Sequence, residues 1–133
     1  MRYYLAARFS RKDELAGYAQ IIEDHGDTVT SRWLTGAHDP LSERQLTHQE
    51  LRDFAFDDLD DIGEASCFVL FTEAKGAGYM SGGRMVEFGY ALNMGNKYLS
   101  TIVVGPQENI FTRLATEHYA SWDDLAAEKG WKS

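Results

Sequence analysis

The run Ser81-Gly82-Gly83-Arg84-Met85-Val86-Glu87-Phe88-Gly89-Tyr90-Ala91-Leu92 carries the densest chemical signal in the chain. Two glycines and a basic residue lead into an almost wholly apolar segment that holds one carboxylate, Glu87. A glycine-rich turn feeding a helix start offers backbone N–H groups to an anion. A carboxylate one turn into such a helix lies near the positive end of its dipole, which predicts that Glu87 is ionised. Burying a charge between Val86 and Phe88 is costly without a reason. Two readings supply one: a nucleophile beside an anion site, or a glutamate that stabilises a helix start.

A second carboxylate stands out by its spacing. Asp53, Asp57, Asp60 and Glu64 fall on one helical face and read as a solvated acidic stripe. Leu51, Ala55, Asp58 and Ile62 follow the same spacing on another face, apolar except for Asp58. One carboxylate on an inward stripe is a functional candidate; it is equally a residue that borders the core and bonds a neighbouring backbone group. A third cluster, Ala7-Arg8-Phe9-Ser10-Arg11-Lys12, sets three cations and a hydroxyl at a helix start, where a phosphate can bind. The alternative there is a capping serine among solvated cations. Neither Gly-x-Gly-x-x-Gly nor a Walker spacing is present, so neither a dinucleotide nor a nucleoside triphosphate is indicated.

The elements that must position these residues alternate. Arg2 to Ala7 reads as a strand, Ser10 to His25 as a helix opened by Ser10-x-x-Asp13, and Thr28 to Trp33 as a second strand. Gly36 to Ser42 reads as a loop. Thr47-x-x-Glu50 opens a helix to about Glu64, and Cys67 to Thr72 is a strand apolar almost throughout. A glycine-rich loop, Glu73 to Gly83, precedes a helix over Arg84 to Met94 that Gly95 closes. A strand over Tyr98 to Val104, a short strand near His118 and Tyr119, and a helix opened by Ser121-x-x-Asp124 complete the chain. Such alternation predicts one α/β domain over residues 1–133, with an open parallel sheet and helices on both faces. Ligands of such folds bind at the carboxyl ends of the strands.

Thirteen basic against twenty-one acidic residues give a net charge of −8, which argues against nucleic acid or an anionic membrane as a partner. The single Cys67 sits in a buried-strand pattern and reads as core; one cysteine makes no internal disulfide and suits a reducing compartment. No signal peptide and no membrane-spanning run is evident, so a cytoplasmic location is expected. The four histidines show no metal spacing, and neither a metal nor a cofactor is expected.

Tyr4-Leu5-Ala6-Ala7-Arg8-Phe9-Ser10, then Asp58-Leu59, then Gly83-Arg84-Met85-Val86-Glu87-Phe88-Gly89-Tyr90-Ala91-Leu92 together resemble the nucleoside 2-deoxyribosyltransferase family. Within it the chain looks closer to the branch of nucleoside 5′-monophosphate N-glycosidases. The resemblance implies a Rossmann-like or flavodoxin-like three-layer sandwich with a mostly parallel sheet of about five strands. It implies that Glu87 is the catalytic glutamate that attacks the anomeric carbon. Asp58 matches an aspartate that binds the sugar or assists proton transfer at the base. Tyr4, or Tyr3 one register step away, matches the tyrosine that orients the glutamate. Ser81 falls where the transferases carry a base-binding aspartate and the monophosphate hydrolases a phosphate-binding serine. With Arg8, Ser10 and Gly83, it implies a 5′-phosphate site; Phe9 and Arg11 belong to the implied substrate-binding set. Trp33 falls near the base, where an indole can stack. Asn109 resembles a position contributed by a neighbouring subunit, which implies a homodimer with shared sites.

The implied activity is hydrolysis of the N-glycosidic bond of a small nucleotide. The alternatives are base exchange by a deoxyribosyltransferase, or a nucleotide-sensing module with little turnover. Two carboxylates and an orienting hydroxyl suffice for the chemistry. A carboxylate stabilises or captures the oxocarbenium-like sugar, and a proton donor helps the base depart.

Overall fold

The computed structural model describes residues 1–36, 46–74, 76, 82–94 and 98–131. Among the described residues five strands and four α-helices follow in order: β1 (Arg2–Ala6), α1 (Lys12–Asp24), β2 (Thr28–Val29), α2 (His48–Glu64), β3 (Cys67–Phe71), α3 (Gly83–Met94), β4 (Ser100–Val104), β5 (Glu117–Tyr119) and α4 (Trp122–Lys129). Three 3-10 turns, Phe9–Arg11, Arg32–Leu34 and Ile110–Leu114, interrupt the connections. The strands form one sheet in the order β2-β1-β3-β4-β5, every pair parallel. The architecture is α/β with an all-parallel sheet, as the alternation predicts. Among the described residues no helix is long and apolar enough to cross a membrane.

Strand order explains where a ligand fits. From β1 the chain steps to one side to make β2, then to the other side to make β3. The crevice between the carboxyl ends of β1 and β3 is the topological switch point, where connections leave in opposite directions and do not cover the edge. Arg8 follows β1 there, and Glu73 follows β3.

The period-two alternation of β1 decides which tyrosine faces which layer. Tyr3 meets Trp131 edge-on, with centroids 4.9 Å apart, on the α1/α4 side. There Tyr18 of α1 stacks on Trp122 of α4 at 4.1 Å. Tyr4 points the other way, stacking on Phe68 at 5.5 Å, and Phe68 in turn meets Phe88 of α3 at 6.2 Å. Leu5, Val69 and Ile102 are wholly buried between the layers. Each such side chain contributes roughly 1.5–3 kcal/mol through apolar burial.

Several local expectations need correction. The second strand is only Thr28–Val29. Thr30 N–H still bonds Tyr3 O at 2.8 Å, but the chain then turns into the 3-10 segment Arg32–Leu34. That turn carries Trp33 under the end of β1 and gives the Arg32 N–H to Asp61 at 2.9 Å, so burial and a side-chain acceptor win over β propensity. Ser10 does not cap α1. A 3-10 turn precedes the helix, its N-cap is Arg11, and no side chain bonds there. Asp13 and Glu14 in the first turn instead complement the positive end of the helix dipole. On α2 the Thr47–Glu50 capping box forms as expected. Its apolar face, however, sinks into the core only in the second half. Ile62 is fully buried, whereas Leu51 is 45% exposed. The Gly36 to Ser42 loop beyond Gly36, and Gly95, lie outside the described residues.

Gly105 lets β4 end close to β3. Its φ is +117°, and a Cβ built there would lie 2.5 Å from Thr72 Oγ1. The Thr72 hydroxyl donates to Pro106 O at 2.6 Å, and Thr72 N–H donates to Val104 O at 2.9 Å. This packing fixes the backbone immediately before Glu73.

Candidate active site

Glu87 lies in the second turn of α3, which begins at Gly83. Its carboxylate accepts a hydrogen bond from the Tyr4 hydroxyl. Tyr4 is fully buried in the middle of β1, so the phenol is presented by a rigid strand. Burial, with Glu87 and Asp58 nearby, holds the Tyr4 hydroxyl well above its ordinary range, which keeps it a donor. Tyr3 faces the opposite layer, so the phenol that reaches Glu87 belongs to Tyr4.

The expectation that the helix dipole keeps Glu87 ionised is corrected. Burial pushes its carboxyl up to about 8; the Tyr4 hydrogen bond opposes the rise, and Asp58 adds to it. The dipole acts mainly within the first turn, and Glu87 stands beyond it. Asp58 lies on α2, which packs on α3. Burial pushes its carboxyl up to about 7; Asp61 and Asp57 add to the rise, and Arg32 opposes it. Both carboxyls are thus raised toward neutral pH, each by burial and by neighbouring carboxylates.

The cations after β1 are engaged. Arg11 donates to Glu14 through Nε at 3.0 Å and Nη2 at 2.7 Å, to Thr72 O at 3.2 Å and to Glu73 Oε2 at 2.8 Å. Arg8 Nη1 reaches Glu73 Oε1 at 3.4 Å. Phe9 packs beside Trp33, with centroids 6.2 Å apart, and Lys12 Nζ sits 5.5 Å from the Phe9 centroid. Ser10 is exposed on the 3-10 turn. Trp33 is buried, and its indole N–H donates to Leu5 O at 2.8 Å, which makes it a wall behind β1. Gly83 is exposed at the first residue of α3. Ser81 lies outside the described residues.

Asn109 holds a local role. Its Oδ1 accepts from Phe111 N–H at 2.8 Å and Thr112 N–H at 3.2 Å, capping the Ile110–Leu114 turn. Its Nδ2 approaches Met85 Sδ of α3 at 3.6 Å.

Three carboxylates absent from the sequence reading organise this region. Glu108 Oε1 accepts from Glu73 N–H at 2.8 Å and from Arg84 Nη1 at 2.7 Å, and its Oε2 accepts from Arg84 Nη2. One side chain thus ties the end of β3 to the first turn of α3. Burial raises the Glu108 carboxyl, but Arg84 and the Glu73 N–H outweigh it and hold the group below its ordinary range. Asp61, buried, accepts from Arg32 N–H and from Arg32 Nε at 2.8 Å, locking α2 to the turn that bears Trp33. Glu73 is the third. The partners of these residues are 24 to 65 positions away, beyond any local spacing rule. A carboxylate directly after a wholly apolar strand was the one available signal, and it pointed to Glu73. Cys67 is buried, and burial pushes its thiol up to about 11, an inert core setting.

No family model matches the chain, and no curated protein matches it. Solved structures do. A 2-deoxyribosyltransferase from the psychrotolerant bacterium Bacillus psychrosaccharolyticus has a TM-score of 0.69 at 19% identity, over 94% of this chain and 90% of that one. The CMP N-glycosidase BcmB of Clostridium botulinum has a TM-score of 0.57 at 17% identity, over 99% of this chain and 100% of that one. A conserved protein of Enterococcus faecalis V583 gives 0.66 at 13% identity, over 96% of each chain. At these identities the likeness establishes a shared fold. Among the structures that share it are a 2-deoxyribosyltransferase and a CMP N-glycosidase.

Proposed function

We propose that this chain is an N-glycosidase that cleaves a nucleoside 5′-monophosphate to free base and sugar 5-phosphate. The observation that carries the reading is the buried Tyr4 hydroxyl donating to the Glu87 carboxylate, with Asp58 close enough to raise Glu87 further. The shared fold with a 2-deoxyribosyltransferase and a CMP N-glycosidase supports it.

In this mechanism Glu87 passes its resting-site proton to Asp58 as substrate binds, and the ionised Glu87 attacks the anomeric carbon as the carbon–nitrogen bond breaks, the electron pair of that bond leaving with the base. Asp58, now carrying that proton, gives it to the departing nitrogen. The Tyr4 hydroxyl keeps Glu87 oriented and stabilises its charge before attack. Positive charge building on the sugar favours the ionised glutamate, offsetting the burial that raises it. Water then attacks the glycosyl ester, loses a proton to Asp58 and releases Glu87. Arg8, Ser10, Ser81 and the backbone at Gly83 are proposed to hold the phosphate, which positions the sugar remotely from the broken bond.

The second reading, base exchange by a 2-deoxyribosyltransferase, draws on the engagement of Arg8 and Arg11 by Glu73, which neutralises the cations a phosphate would use. We further propose a homodimer. Val86, Ile110, Phe111 and Leu114 are each more than half exposed on α3 and the Ile110–Leu114 turn, and Met85 links those two elements through Asn109. A reading in which Asn109 reaches a partner's pocket has to use its amide N–H group, because Oδ1 caps the turn.

The test is a panel of ribo- and deoxyribonucleoside 5′-monophosphates and their nucleosides, with free base measured by chromatography. A monophosphate should release base, and Glu87→Gln should lower turnover by orders of magnitude while binding persists. Near-normal turnover of Glu87→Gln would remove Glu87 from its role. Equal efficiency on monophosphate and nucleoside would move the reading to the transferase.

A further inference from the structure

Glu87 meets Tyr4 of β1 on one side, and one turn earlier the same helix carries a buried ion pair. Arg84 stands three residues before Glu87, about 4.5 Å along α3 at roughly 1.5 Å per residue. Its side chain is 3% exposed and that of Glu108 16%. Arg84 Nη1 donates to Glu108 Oε1 at 2.7 Å, and Nη2 donates to Oε2. Oε1 also accepts from the Glu73 N–H at 2.8 Å. One carboxylate therefore spans the gap from the backbone beyond β3 to the first turn of α3.

The segment that bears Glu108 is fixed on both sides. Pro106 O accepts from the Thr72 hydroxyl at 2.6 Å, and Gly105 N–H donates to Tyr119 O at 2.8 Å. Asn109 caps the Ile110–Leu114 turn, and its Nδ2 reaches Met85 Sδ at 3.6 Å. Glu108 and Asn109 thus touch α3 at two successive residues, Arg84 and Met85. The contacts close a circuit. It runs from β3 through Glu108 and Arg84 to Glu87, across to Tyr4, and back to β3 where Tyr4 pairs with Phe68. A buried ion pair adds little net stability over apolar residues of like volume, but its donors and acceptors fix direction. Arg84 has a further interaction beyond this fork, so Glu108 is the member to change.

We infer that Glu108 is a positioning residue for Glu87: through Arg84 it sets how deeply α3 is seated, and so where the Glu87 carboxylate meets the Tyr4 hydroxyl. The inference rests on Glu87 as the proposed nucleophile. Glu108 acts at a distance from the bond that breaks. It keeps a nucleophile on one element in contact with its orienting hydroxyl on another.

The first readout is the ¹³C titration of the Glu87 carboxyl in the whole protein without substrate. Burial, with Asp58 adding and Tyr4 opposing, sets that carboxyl at about 8, so its titration reports its seat. Glu108→Asp keeps the charge and shortens the arm by one methylene, too short to hold Arg84 and the Glu73 N–H at their present spacing. In it Glu87 should titrate clearly below about 8, toward its ordinary 4.5, as water reaches the group. On the best monophosphate, kcat should fall roughly tenfold to a hundredfold with KM changed less, as a misplaced group dictates. Glu108→Gln keeps the reach, removes the charge and turns an amide donor toward Arg84 Nη2, and it should move in the same direction.

Glu87 still titrating at about 8 in Glu108→Asp makes the pair a plain strut and overturns the inference, whatever Tm does. A fall in Glu108→Gln alone assigns the effect to charge and overturns it as well. A fall in both with kcat unchanged does the same. If Glu108→Asp does not fold, Glu108→Gln combined with Arg84→Met removes both charges of the pair and keeps an acceptor for the Glu73 N–H, and the same titration decides. A wild type that cleaves no monophosphate loses the hydrolase reading, and the titration then decides the placement of Glu87 by itself.

Discussion

Glu87→Gln should stabilise the fold, and the gain should grow with pH. In the folded protein, burial pushes the Glu87 carboxyl from its ordinary 4.5 to about 8. Below pH 4.5 the group is protonated in both folded and unfolded chains, so wild type and Gln variant differ little. Between 4.5 and 8 the unfolded chain releases a proton that the folded chain keeps, so the wild type loses stability as pH rises. Above 8 both states are ionised and the loss is complete. A span of 3.5 pH units at about 1.36 kcal/mol each gives a ceiling of roughly 5 kcal/mol. Part of the Glu87 side chain reaches solvent, and the site can relax, so about 2–4 kcal/mol is the working expectation. For a domain of this size that is roughly 6–12 °C in Tm.

The assay is thermal unfolding of both proteins in matched buffers from pH 4.5 to 9. The Tm difference should open across that window and then level. Asp58→Asn removes a charge that raises Glu87, so in that background the difference should level at a lower pH. A difference that stays flat from pH 4.5 to 9 would refute the reasoning, because Glu87 would then titrate as an ordinary exposed acid.

Three further outcomes are expected. Gly105→Ala should cost roughly 2–4 kcal/mol in urea unfolding, because a Cβ meets Thr72 Oγ1 at 2.5 Å in a backbone with φ +117°; a loss within 0.5 kcal/mol, the range of about ±0.5 for indifferent sites, would contradict that packing. Asp61→Asn removes a carboxylate that raises Asp58 and leaves Arg32 to lower it, so the Asp58 carboxyl should titrate below about 7; an unmoved ¹³C titration curve for Asp58 would count against the coupling. Mixing Asn109→Ala with Glu87→Gln subunits should restore part of the activity if pockets are shared across a dimer; demonstrated subunit exchange without recovery would end that proposal.

The parts of this molecule legible in its sequence are those set by short-range patterns. Thr47-x-x-Glu50 and Ser121-x-x-Asp124 mark true helix starts because a cap is a contact between residues three apart. The apolar run Cys67 to Phe71 marks the central strand because both its faces are covered. Ser10-x-x-Asp13 fits the same capping pattern and fails, since Arg11 is drawn toward Glu14, Thr72 and Glu73 and the chain enters α1 through a 3-10 turn. Thr28 to Trp33 has strand composition, yet the strand ends at Val29, because Trp33 has to pass beneath Leu5 to bury its ring and give its N–H to a backbone oxygen. Glu73, Asp61 and Glu108 were illegible for a related reason. Their partners are brought near by the sheet order, and no periodicity along one element records that order.

The contrast between the carboxylates around the site argues for what each does. Glu73, Glu108 and Asp61 face guanidiniums, on Arg8 and Arg11, on Arg84, and on Arg32. A guanidinium occupies a carboxylate's oxygens with directed N–H donors, which suits a strut and spoils a nucleophile. Glu87 accepts instead from a neutral phenol. A phenol orients the carboxylate without cancelling its charge, and it leaves the field open to a cation that appears only as a glycosidic bond breaks. The rise of Glu87 to about 8 is the consequence: a charge left uncompensated in the resting site is unfavourable there, and the group takes up a proton until a developing cation makes ionisation favourable. Stability forgone at Glu87 is thus the physical counterpart of the stabilisation it offers a positively charged transition state.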